Sequence, residues 1–125
     1  MNEEHALKSY ASSQFAFAGE ALELGDPITA LGLLRGLKVL ADKNGGADKI
    51  GLDPNLFRKT STLAQAGSIQ KYLGRAFELS VMGINDGSVL ALKEAEELAQ
   101  PYGGLETVVR NPAALQSLRN LVITG

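Results

Sequence analysis

Apolar residues recur along this chain at spacings of three and four, the period that puts them on one face of an α-helix. From Glu3 to Leu24 the series is Leu7, Tyr10, Ala11, Gln14, Phe15, Ala18 and Leu22, which predicts a first helix ended by Gly25. Asp26 offers a side-chain oxygen to unpaired backbone N–H groups, and Pro27 fits the first helical position, where a missing N–H costs nothing. A second helix is predicted from there to just before Gly45-Gly46. Its apolar positions Ile28, Leu31, Leu34, Leu37, Val39 and Leu40 cover more than a narrow stripe, so it is expected to be the most buried element.

The same start signal returns at Asp53-Pro54 and predicts a helix to about Ala66. Ser68, after Gly67, can cap another that reaches Val81, unless Gly67 is only a kink. Asn85 to Ser88 offer the next turn and cap. Val89, Leu92, Ala95, Leu98 and Ala99 follow at helical spacing up to Pro101 and Gly103-Gly104. Asn111-Pro112 opens a terminal helix with Leu115, Leu118, Leu121 and Val122. The expected fold is all-α, a compact bundle of about six helices forming a single domain over residues 1–125. A shift of 58 residues superposes Gly25, Leu34, Leu40, Gly45, Gly46 and Pro54 on Gly83, Leu92, Leu98, Gly103, Gly104 and Pro112, which suggests two related helix-turn-helix units.

Composition supports that outline and narrows the function. The 125 residues are 45% hydrophobic and 21% charged, ordinary for a globular chain, while aromatics are 6% and Trp is absent, so the core must be aliphatic. Without cysteine there are no disulfides, thiolate metal sites or cysteine nucleophiles. No run approaches the roughly 18 apolar residues of a membrane span, and Glu3 and Glu4 replace the basic start of a signal peptide, so a cytoplasmic location is expected. The net charge of −2 and the scattered basic residues argue against nucleic acid and anionic membrane as partners.

Candidate chemistry is thin. The single histidine, His5, falls in the first turn of the first helix, and no G-x-S-x-G nucleophile motif occurs, so a hydrolase triad is not expected. Glu20, Glu23, Glu94, Glu96 and Glu97 fall on helix exteriors, where solvated charge is the simpler reading. No cofactor is implied, since neither Gly-Gly pair continues into a phosphate-binding loop.

Three segments resemble known motifs. Asp42 to Asp53 is similar to an EF-hand calcium loop in its acidic ends and Asn44, but has Gly46 at the fifth place and Ala47 where the loop needs glycine. Ala21 to Leu31 resembles the turn of a tetratricopeptide-repeat hairpin, which implies two antiparallel helices around Gly25-Asp26. Thr62 to Leu79 resembles a DNA-reading helix-turn-helix with its turn at Gly67, which would put Lys71 and Arg75 on the recognition helix.

By elimination, the expected function is that of a non-enzymatic interaction protein that binds another protein or a second copy of itself as a homodimer, through an apolar groove between helices. The candidate contact residues are Tyr10, Phe15 and Phe17. Phe15 and Phe17 cannot share one side of a helix, so one of them should be exposed. The alternatives are a DNA-binding regulator through residues 62–79 and a degenerate EF-hand-like module.

Overall fold

The computed structural model describes residues 3–124, which form an all-α fold with no strand among them. The helices are α1 (Glu3–Glu23), α2 (Pro27–Asn44), α3 (Pro54–Val81), α4 (Asn85–Ala99), the single turn α5 (Leu105–Val108) and α6 (Pro112–Thr124). Short 3-10 turns follow α2 (Ala47–Ile50) and α4 (Gln100–Tyr102). Two compact units divide at Gly67, inside α3. None of the described helices is long and apolar enough to cross a membrane.

In the first unit α1 and α2 make a hairpin. The turn closes with the Asp26 N–H donating to the Ala21 carbonyl at 2.8 Å and Gly25, at φ 77°, donating to Leu22 at 3.1 Å. Asp26 then caps α2, its carboxylate accepting from the Thr29 N–H at 3.2 Å. The seam is made of small residues: Ala11, Ala18 and Ala21 of α1, with Ala30 and Ala41 of α2, are all buried. Leu31, Leu34, Leu37, Ile50 and Leu52 fill the remaining core. Asp53 caps α3 through the N–H groups of Asn55 (2.9 Å) and Leu56 (3.3 Å).

The second unit comprises the rest of α3 with α4, α5 and α6, cored by Ile69, Ala76, Leu92, Ala95, Leu98, Leu105 and Leu115. Several helix ends use the same backbone device 58 residues on. Gly83 (φ 78°) and Ile84 repeat the bonds of Gly25 and Asp26, donating to Ser80 at 3.1 Å and Leu79 at 2.8 Å. Gly46 and Gly104 donate to Ala41 and Ala99 at 2.8 and 3.0 Å. Other paired positions differ: Ile84 has no capping side chain, and Gly51 is left-handed whereas Val109 is extended. Ser88, paired with the buried Ala30, keeps its buried hydroxyl satisfied by donating to the Ala76 carbonyl at 3.1 Å and bonding Ser80.

Three expectations need correction. The helix does not break at Gly67, so the helix expected from Ser68 is the second half of α3, and the unanticipated single turn α5 stands before the terminal helix α6. Gly67 serves a close approach instead, since a Cβ there would lie 2.8 Å from Pro27 Cβ. Ser88 lies one turn inside α4, buried, rather than capping it. Ile28 and Val39, counted in the α2 arc expected to be buried, are exposed, because the alanine seam leaves the large side chains at its edges in solvent. The broad apolar arc of α2 is therefore only partly buried.

The Pro27 contact makes Gly67 a sensitive position. Gly67→Ala gains helix propensity but forces the seam apart, and a net destabilisation of about 1 kcal/mol or more is expected in denaturant unfolding.

Candidate functional site

The α1 positions that miss the alanine seam form a separate stripe. Tyr10, Phe17 and Leu24 follow one another at intervals of seven, two helical turns, and all are more than half exposed. Phe15 is half-buried and stacks on Phe57, with centroids 6.0 Å apart and an interplanar angle of 27°. Of the two phenylalanines, Phe17 is thus the surface residue and Phe15 belongs to the packing between α1 and α3.

Beside Tyr10 the α1/α2 hairpin has a groove of about 290 Å³, lined by Tyr10, Gln14, Gly32, Gly36, Val39 and Lys43, with Leu33, Leu37 and Leu40. Its floor is two glycines one turn apart in the middle of α2. A glycine inside a helix is about 1 kcal/mol less favourable than alanine, so each calls for a reason. Gly67 has one in Pro27, but a Cβ at Gly32 or Gly36 would meet nothing within 4 Å. The intramolecular packing requires neither. Both glycines lower the surface of α2 beside exposed Tyr10 and Val39, so that another backbone can come close there.

Two further concavities lie in the second unit. One, of about 370 Å³, is lined by Phe77, Leu73, Gly74, Val109 and Leu118 among others and holds no charged group to orient a partner. The other, of about 200 Å³, is lined by Gly87, Leu90 and Ala91 with Arg75 and Glu94, and there a Cβ at Gly87 would lie 3.0 Å from the Leu79 side chain. The hairpin groove combines apolar walls, a floor of two glycines above which nothing packs, and a charged end at Lys43.

The remaining sequence candidates fall elsewhere. Lys71 and Arg75 stand on the uninterrupted α3, so the turn that a helix-turn-helix over 62–79 needs at Gly67 is replaced by helix. In the calcium-like segment, α2 continues through Asn44, Asp42 pairs with Lys38 at 3.5 Å and Asp53 caps α3. No group of three or more His, Asp or Glu side chains among the described residues is placed to hold a metal. His5 is exposed in the first turn of α1.

In the second unit one arginine joins two carboxylates. Arg119 contacts Glu106 at 2.6 Å and Glu96 at 3.9 Å. The Glu106 carboxyl is held below its usual range, first by its own backbone N–H and then by the Arg119 guanidinium. A lowered folded-state value means that the contribution to stability is present above the ordinary pKa of 4.5 and fades as pH falls through the folded value.

Two predictions follow from these geometries. In an NMR titration, Glu106 should titrate below its usual value, and Arg119→Gln should move it partway back, because the backbone bond remains. Gly36→Ala, facing open space, should stabilise the isolated chain by about 0.5–1 kcal/mol in denaturant unfolding, opposite in sign to Gly67→Ala. Comparison of the chain with protein families, curated proteins and solved structures finds no match.

Proposed function

We propose that the protein is a non-enzymatic, cytoplasmic interaction module that binds protein through the α1/α2 face. The observation that carries this reading is the pairing of two glycines that the fold does not need with a stripe of exposed aromatic and aliphatic side chains beside them. Tyr10 and Phe17 supply rigid apolar contact area at low entropic cost, as anchors at protein interfaces do. Gly32 and Gly36 supply a depression into which a partner's side chain or backbone fits. Phe15, packed on Phe57, acts only as support for the α1 face.

A protein partner fits this surface better than a small ligand does. Binding pockets for small molecules are enclosures of about 300–1,000 Å³ that cover most of the ligand and aim several polar groups at it. Here the groove is smaller, about 290 Å³, and its polar side chains are Tyr10, Gln14 and Lys43 along a mostly aliphatic wall. A long shallow strip between two helices suits a helical segment laid along it.

The test is photocrosslinking in cells of the protein's own host, with a benzophenone amino acid at Tyr10 or Phe17 and, as controls, at the exposed Lys59 or Glu97. Adducts of defined mass are expected from positions 10 and 17 and not from 59 and 97. Absence of adducts at 10 and 17, or equal yields at all four positions, would overturn the reading.

A further inference from the structure

We infer that the occupant of the α1/α2 face is a second copy of the same chain, joined about a two-fold axis so that α1 of each copy lies along the groove of the other. The inference rests on the protein-binding reading above and adds the identity of the partner. It stands on the shape, charge and area of the face.

Shape comes first. A two-fold interface sets the same patch against itself, so the patch must carry both a protrusion and its complement. This one does: Tyr10 and Phe17 stand out from α1, more than half exposed, and the bare backbone of Gly32 and Gly36 lines the groove beside Tyr10. Reversing one copy lets the α1 aromatics of each seat over the α2 glycines of the other.

Charge sets the direction. Lys43 lines the groove at the Tyr10 end and forms no ion pair with another described residue. Glu20, exposed and likewise without a cationic partner among the described residues, flanks the far end of the stripe, three residues after Phe17 and four before Leu24, about 15 Å along the helix from Tyr10. A two-fold axis across the middle of the face reverses these ends, so Lys43 of each copy meets Glu20 of the other. A parallel arrangement would set like charges together.

Area sets the strength. Tyr10, Phe17, Leu24, Ile28 and Val39 together leave on the order of 500 Å² uncovered, the size of the largest apolar patch on an ordinary monomer, which is often a functional surface. A pair covers about twice that before any polar rim is counted, near the roughly 1,000 Å² at which specific interfaces begin. The dimer is therefore reversible, with a dissociation constant of about 1–100 μM.

The experiment is sedimentation equilibrium of the full chain from about 1 to 500 μM, a range that brackets that constant. Wild type should pass from monomer to dimer. Phe17→Ser should weaken the dimer at least about tenfold. Gly36→Ala should weaken it as well while raising the melting temperature of the dilute protein by about 2–4 °C, a combination that misfolding does not produce. Lys43→Glu and Glu20→Lys should each weaken association by about threefold or more, and the double variant should restore it. A monomer at every concentration would overturn the self-partner inference and, if crosslinks to a different protein still form at positions 10 and 17, leave the protein-binding reading standing. A dimer indifferent to all four substitutions, or charge variants without mutual rescue, would overturn the assigned face and its direction.

Discussion

Close approach of helix backbones is the constraint on which the rest of this structure depends. A chain without tryptophan, with few aromatics and many alanines, has little side-chain volume to place between helices, so burial is achieved by bringing the helices together. Ala11, Ala18 and Ala21 against a helix carrying Ala30 and Ala41, and Gly67 against Pro27, are the first unit's expression of this. The second unit does the same with Ala76, Ala91, Ala95 and Ala99. Such seams are narrow. Large side chains one or two positions away are left at the rim, which is why Tyr10, Phe17, Ile28 and Val39 are in solvent although they lie in apolar sequence.

The glycines divide by the same logic. Those at helix ends adopt left-handed backbone that β-carbon-bearing residues disfavour, and Gly67 admits a proline ring. Gly32 and Gly36 do neither, as Gly19 in α1 and Gly74 in α3 do not, and each costs its helix about 1 kcal/mol relative to alanine with nothing packed above it. A surface that gives up helix stability to expose backbone next to aromatic anchors trades folding stability for contact, as interaction surfaces do. The groove and its flanking stripe are thus consequences of one packing scheme: alanine where the helices close on one another, glycine and large apolar residues where they do not.

Most of the fold was legible in the chain, because its punctuation is strong. Asp26-Pro27, Asp53-Pro54 and Asn111-Pro112 all open helices, and the Asp or Asn side chain accepts from the backbone at each. Gly67 misled because a lone glycine reads as a stop, and only the position of Pro27, forty residues earlier, explains why the helix runs through it. Ile28 and Val39 misled because periodicity locates an apolar arc but not its buried centre, which the small residues decide. Of the site, Tyr10 and the exposed member of the Phe15/Phe17 pair were accessible from spacing alone. Gly32, Gly36 and Lys43 were not singled out. Their signal, two glycines four residues apart inside an otherwise strong helix former, acquires meaning only once it is known that nothing inside the molecule occupies the space above them.

The central claim, that the α1/α2 face is where this chain meets its own copy, is tested most directly by amide and methyl chemical shifts recorded across a dilution series. The account predicts concentration-dependent shifts confined to the neighbourhood of Tyr10, Phe17, Gly32, Gly36 and Val39, with the environments of Phe57, Phe77 and Leu118 unchanged. Shifts that gather around Phe77 and Leu118 instead, or a spectrum that does not change on dilution, would contradict it.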